Sequence, residues 1–260
     1  MDQALLTTFG RRSAHRVCVR SDVGLLDEEN NQRTLAELRD LSTTGACVRT
    51  PAPLPVGQRL RLAFEFLKGS GPVRVRAEVV WSDRAEGRRG GILSGLRFRD
   101  LGGDELGRLR KFIEERLFVV QQFLSKMARF SDLSDLDRML LASVSLDLTL
   151  AAGATLPEAL RENALLAIRT GSVQAEEISS DGRASGPRRL AAGDLCGSLP
   201  VDPRGASLLE LRAIEDSDVI VLPSDGFWYL SSLHADTALK LLACFAQSLI
   251  GRLHQPRGKR

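Results

Sequence analysis

Thr34-Leu35-Ala36-Glu37-Leu38-Arg39-Asp40-Leu41-Ser42-Thr43-Thr44-Gly45-Ala46-Cys47-Val48-Arg49 is the stretch whose reading decides the fold. A strand from Thr34 to about Leu41 runs into the Ser-Thr-Thr-Gly turn, and Ala46 to Arg49 resumes as a second strand. Gly45 permits a positive φ or a close approach of backbone. Just upstream stands a second group, Arg11-Arg12-Ser13-Ala14-His15-Arg16. Its guanidiniums approach a further strand, residues 16–22, in which Val17 and Val19 share one face and Cys18 and Arg20 the other.

Beyond this pair of strands the same alternation recurs. Leu60, Leu62, Phe64 and Phe66 lie on one side of the stretch from Arg59 to Phe66. Val73, Val75, Ala77 and Val79 lie on one side of Val73 to Trp81, and Leu96 and Phe98 mark Ile92 to Arg99. Pro51–Gly57, Gly69–Pro72 and Arg84–Gly91 are breaker-rich or charged turns between them. About six short strands joined by turns predict a small antiparallel barrel. A helix follows from Asp104 to about Lys126, with Leu106, Leu109, Phe112, Ile113, Leu117, Val120, Phe123 and Leu124 at three- and four-residue steps.

The second half is mainly β as well. Ser131–Asp135 offers helix caps, and Leu136 to about Ala142 is a short helix. Leu146–Leu150, Leu165–Arg169, Ser172–Ile178, Ser207–Ala213 and Val219–Pro223 are candidate strands. Ala235 to about Leu253 is an amphipathic helix with Leu239, Leu242, Phe245, Leu249 and Leu253 on one side. The tail after Gln255 is polar and expected to be disordered.

Charge divides the chain. Residues 1–129 carry 23 Lys and Arg against 16 Asp and Glu, +7, and residues 130–260 carry 13 against 17, −4. A basic half joined to an acidic half implies two domains with different partners, the first attracting nucleotides or polyanions. Aromatics make up only 5% of the residues, which argues against a stacking platform for single-stranded nucleic acid.

Arginine suits a guanine nucleotide. Its fork donates to O6 and N7 of the base, a contact worth about 1–3 kcal/mol of discrimination, and it pairs with phosphate and stacks on purines. Asp40 accepts only, which suits N1 and N2 on the other edge of guanine. Ser42 can bond a phosphate oxygen or cap its own turn. Arg12-x-x-x-Arg16, with Asp40-x-Ser42-x-x-Gly45 placed 23 residues after Arg16, resembles the signature of the PilZ family of bacterial cyclic di-GMP receptors. Gly95-Leu96-Arg97-Phe98 is similar to that family's last strand, and Asp104–Lys126 to its closing helix. The resemblance covers residues 8–127. It implies a six-stranded barrel that binds cyclic di-GMP through Arg11, Arg12, Arg16, Asp40, Ser42 and Gly45, with Arg11 allowing a stacked ligand pair.

Residues 128–254 resemble the cyclic-nucleotide-binding domain of the catabolite-activator and kinase-regulatory type. The matching pieces are Phe130–Asp137, Ile168–Glu176, Ala192–Leu199 and Ala213–Leu222. This implies a β-roll with flanking helices. The binding cassette departs from that family: Cys196-Gly197-Ser198 stands where Phe-Gly-Glu is usual. A residual cassette would draw on Gly197, Ser198, Arg204, Ala206 and Ser207, and a degenerate scaffold or a homodimerisation module is the expected reading.

Enzyme motifs are absent from the sequence: it holds no Gly-x-x-x-x-Gly-Lys loop, Gly-x-Ser-x-Gly elbow or His-Glu-x-x-His pair. Cys18, Cys47, Cys196 and Cys244 form no Cys-x-x-Cys pair, so buried reduced thiols and no metal are expected. Neither a secretory leader nor an apolar stretch of bilayer length is present, and a cytoplasmic location follows as an expectation. The seven residues after Leu253 leave no room for a helix-turn-helix, so no direct DNA binding is expected and output should pass to an unidentified protein partner. The overall expectation is a mainly β, non-enzymatic receptor of cyclic di-GMP that needs no cofactor. A ligand-independent adaptor, or a dual sensor that also takes a cyclic mononucleotide, stands as the alternative.

Overall fold

The computed structural model describes residues 16–65, 71–84, 91–179, 181–198 and 207–253. Arg11, Arg12, His15, Phe66, Arg204, Ala206, His254 and the tail lie outside them. The chain divides into two compact units, before and after the Leu117–Phe118 bond.

In the first unit six strands close a barrel: β1 (Arg16–Asp27), β2 (Arg33–Ser42), β3 (Gly45–Thr50), β4 (Arg59–Phe64), β5 (Val73–Arg84) and β6 (Ile92–Arg99), in the order β1-β2-β3-β6-β5-β4. Every neighbouring pair is antiparallel, and β1 pairs with β4 to complete the ring. Alternation makes the barrel. Val17, Leu38, Leu41, Val48, Leu60, Leu62, Val75, Val79 and Leu96 point inward and are buried, while the residues between them face out. Phe64 and Phe98 meet inside with ring centroids 6.0 Å apart. Three bulges break the ladders, between Cys18 and Ser21, Leu38 and Asp40, and Val79 and Trp81. Each re-aims the next outward side chain. The helix α1 (Gly103–Lys126) follows, its buried stripe Leu109, Ile113, Leu117, Val120 and Leu124 set by the apolar spacing.

The second unit holds two sheets. One is β10 (Arg188–Ala191), β9 (Ser172–Ile178) and β12 (Leu208–Ala213). The other is β11 (Leu195–Gly197), β8 (Leu165–Thr170), β13 (Ser217–Leu222) and β7 (Leu146–Leu150). Helices α2 (Asp135–Val144), α3 (Ser224–Leu233) and α4 (Ala235–Leu253) flank them. Helix α2 opens with a reciprocal capping box between Ser134 and Asp137. Leu124, Phe130, Leu141 and Leu241 face Leu165, Leu195, Ile220 and Leu222 around an apolar gap of about 30 Å³.

Three features differ from the sequence reading. Helix α3 was not expected; Gly226 lets it lie against the end of α2, where a Cβ would come 2.6 Å from the Val144 carbonyl oxygen. Strands β10 and β11, four and three residues long, are too short to show a period. Finally, Leu239 is 62% exposed; Ala238, Leu241 and Cys244 are the buried stripe of α4.

Candidate functional site

The turn from β2 to β3 is built by one hydroxyl. Ser42 Oγ donates to the Gly45 carbonyl at 3.0 Å and accepts from the backbone N–H groups of Gly45 at 3.1 Å and Thr44 at 3.3 Å. Ser42 is buried, so between the two roles left open for it the free structure shows the turn clamp. The turn is held to β6, where Phe98 donates its N–H to the Thr44 carbonyl at 2.9 Å. Gly45 is required by that closeness: a Cβ there would sit 2.2 Å from the Leu96 carbonyl oxygen. The positive-φ alternative does not apply, because Gly45 is not among the glycines with positive φ.

On the outer face beside this turn, Arg16 donates to Asp40 Oδ1 at 2.6 Å, both side chains about one-third exposed. The ladder explains the meeting. Arg16 lies opposite Ser42 and Cys18 opposite Asp40, so a guanidinium at the start of β1 reaches diagonally to the carboxylate. A part-exposed pair of this kind contributes at most about 1 kcal/mol. It can therefore be opened by a ligand that offers both partners better bonds. Glu37, three residues back, collects Arg20 at 3.0 Å, Arg39 at 3.3 Å and Arg49 at 3.5 Å.

The PilZ domain family model matches residues 10–115. Over this stretch the chain is similar to a PilZ domain. Similar solved structures include the PilZ domain with c-di-GMP of YcgR from Escherichia coli, 15% identical over 45% of this chain and 98% of that chain with a TM-score of 0.36. Others are a cyclic-nucleotide-binding domain from Methylobacillus flagellatus, 22% identical over 54% of this chain and 79% of that one at TM-score 0.40, and the regulatory domain of Toxoplasma gondii PKA with cAMP, 14% identical over 90% and 78% at TM-score 0.45. No curated protein sequence matches the chain.

The barrel carries a further feature that sequence reasoning missed. Ladder partners run in one row across five strands on the outer face: Cys18, Asp40, Cys47, Gly95 and Trp81. The Trp81 indole lies over Gly95, where a Cβ would meet its Nε1 at 2.0 Å. Trp81 is 43% exposed. The row thus ends in a π-surface on the face that bears Asp40. The available signal was the pairing of a glycine in β6 with a tryptophan in β5. It was hidden by the bulge at Val80, which turns Trp81 outward. Between them the Cys47 thiol is pushed up to about 12 by burial, with the Asp40 carboxylate adding to it, so it is neutral and unreactive at ordinary pH.

The second unit's cassette residues fall partly outside the described segments. Gly197, at φ +91°, ends β11 with its Cα facing the Ala164 carbonyl, where a Cβ would come within 2.0 Å. Ser198 and Ser207 pair through their hydroxyls, and the Ser207 N–H donates to Asn163 at 3.1 Å. The Gly197 N–H donates to the Glu177 carboxylate at 3.3 Å, and Arg188 donates to the same oxygen at 2.9 Å. A carboxylate of the protein itself thus occupies this N–H. Among the described residues no group of three His, Cys, Asp or Glu side chains could hold a metal ion, and no helix is long and apolar enough to cross a membrane.

Proposed function

We propose that this protein is a receptor for cyclic di-GMP, which binds the outer face of the PilZ barrel. The observation that carries this reading is the Arg16–Asp40 pair at the lip of the Ser42-clamped turn, with the signature residues Arg12, Arg16, Asp40, Ser42 and Gly45 all present in the sequence. Arg16 would turn from Asp40 to the ligand's phosphate and guanine O6 and N7. Asp40, released, would accept from guanine N1 and N2. Ser42 and Gly45 act through the backbone: they hold the turn that presents Asp40 and keep its approach open. Trp81 offers a purine face a stacking partner worth about 1–3 kcal/mol. Arg11 and Arg12 would add guanidiniums to the ligand's phosphates and purine faces.

In this reading the second unit is a degenerate cyclic-nucleotide-binding-like module that carries the signal to a protein partner, possible also as a homodimer contact. The Glu177 carboxylate on the Gly197 N–H favours this over a dual sensor, because an incoming phosphate would have to displace a like-charged group. Titrating cyclic di-GMP into the full chain tests the proposal. Saturable binding that Arg16→Ala reduces at least tenfold supports it, and no binding sinks it. Cyclic AMP and cyclic GMP should leave the melting temperature unchanged; a rise with either would restore the dual-sensor reading. A partner captured equally with and without cyclic di-GMP would favour a ligand-independent adaptor.

A further inference from the structure

Beyond the ligand turn, whose Gly45 lies opposite Arg97, the outer face of the barrel is dominated by arginine, with Glu78 in register between Arg59 and Arg97. Arg59 and Arg61 on β4, Arg74 and Arg76 on β5, and Arg97 and Arg99 on β6 are all exposed, alternating with buried Leu60, Leu62, Val73, Val75, Leu96 and Phe98. Register places Arg61 opposite Arg76 and Arg76 opposite Arg99, so three guanidinium side chains stand directly across three neighbouring strands. Like charges opposite one another in a sheet cost stability. Among the described residues only two carboxylates answer these six arginines. Glu28 lies 3.4 Å from Arg76 and 3.8 Å from Arg61, and Glu78 lies 2.5 Å from Arg99 and 3.6 Å from Arg97. Arg59 and Arg74 have no ion-pair partner among the described residues.

We propose that this face binds the phosphodiester backbone of a nucleic-acid duplex. The centre of the face is charged, and Ala63 is the one apolar side chain facing out within these rows. A protein interface has the opposite plan, an apolar centre with a charged rim. A membrane-binding face adds large apolar side chains that insert beside the cations, and these rows supply only Ala63. Phosphate binding needs no apolar surface: arginine forks pair with phosphate oxygens in two-point contacts, and counterion release drives the association. Single strands would add base stacking on aromatics. Among the described residues of this unit the exposed aromatic is Trp81, a row away over Gly95, which leaves the duplex as the fitting form. Among the described residues neither a helix nor a ribbon projects from this face to read a groove, so contact is to the backbone and independent of sequence. The expectation of no direct DNA binding weighed groove-reading elements alone and does not bear on such contact.

The test is fluorescence anisotropy of a labelled DNA duplex of about 20 base pairs with the full-length protein, across about 50 to 200 mM salt. The wild type should bind at low salt, with log affinity falling linearly in log salt. R61Q/R76Q/R99Q should bind at least tenfold more weakly, with a slope shallower by about 2–3, roughly 0.9 for each phosphate that is no longer neutralised. Its melting temperature should be unchanged or raised, since opposed charges are removed; should the triple variant fail to fold, Arg76→Gln alone, at the centre of the row, should weaken binding measurably. An RNA duplex run in parallel tells which duplex is preferred, and arginine-dependent binding of either supports the proposal. Failure of the wild type to bind either duplex at low salt overturns it. So does a variant that binds like the wild type, or arginine-dependent binding of phosphatidylglycerol vesicles in the absence of duplex binding.

Discussion

At the scale of single residues, the barrel separates groups that build its turn from groups that face outward. Ser42 and Gly45 build. Ser42→Ala removes the acceptor for two backbone N–H groups and the donor to a carbonyl in a buried turn. Leaving such groups unpaired costs about 1–3 kcal/mol, so thermal unfolding should show a loss of that size. Gly45→Ala should cost at least as much, because the added carbon falls on the Leu96 carbonyl rather than on a side chain that can move. Arg16 and Asp40 face outward and part-exposed, and their exchange for alanine should barely move the melting temperature while removing ligand affinity. Trp81→Ala should weaken cyclic di-GMP binding about tenfold, in line with the loss of one stacked base. Quenching of the Trp81 fluorescence on titration would report the same stacking, and Trp228→Phe, in the second unit, isolates that signal.

At the scale of elements, Asp137 ties helix α2 to helix α4 through Lys240, 103 positions along the chain. It caps its own helix through Ser134, accepts from Thr237 at 2.6 Å and pairs with Lys240 at 2.8 Å. Burial alone would raise its pKa, but the bonds from Lys240, Thr237 and Ser134 together outweigh burial and hold the carboxyl well below its ordinary 3.8. The sign follows. Below 3.8 the unfolded chain takes up a proton that folded Asp137 refuses, so this contribution is complete above that pH and drains away as pH falls toward the folded value. Lys240 is shifted the other way, upward by the same pair, so its share is present below 10.5 and is lost on the alkaline side. Acid unfolding followed by circular dichroism should therefore show wild-type stability falling more steeply with pH below about 3.8. Asp137→Asn should flatten that acid limb and lower stability at neutral pH by about 2–3 kcal/mol.

The same elements show what a sequence can reveal. Strands β4, β5 and β6 were readable because each has one wet and one dry face, and a two-residue period is unmistakable in Arg-Leu-Arg-Leu or Val-Arg-Val-Arg. Strand β11 was not, because three residues buried on both sides have no period. Helix α4 misled through having two apolar stripes, 239–242 and 238–241, of which only packing against the unit's own sheet could choose one. At the site, the types and spacing of Arg16, Asp40, Ser42 and Gly45 were legible. The division of labour between Asp40 and Ser42 was not, since it depends on whether the hydroxyl turns inward. Trp81 stayed hidden because a bulge, which no alternation rule anticipates, decides its face.

At the scale of the whole molecule, two compact units of opposite net charge share one chain. If cyclic di-GMP binds the barrel alone, ligand at about 100 times its dissociation constant adds about 2.7 kcal/mol to the stability of that unit. Scanning calorimetry of the full chain should then show the barrel's transition moving up with ligand while the second unit's transition stays in place. Movement of both would mean that the units unfold together.

The central claim is that the outer face around Arg16 and Asp40 is a cyclic di-GMP site. Isothermal titration of the full-length protein with cyclic di-GMP, run beside Arg16→Ala and Asp40→Ala, tests it most directly. The account predicts saturable heat for the wild type and at least a tenfold loss of affinity in each variant at unchanged melting temperature. Absence of heat in the wild type, or variants that bind as the wild type does, would contradict it.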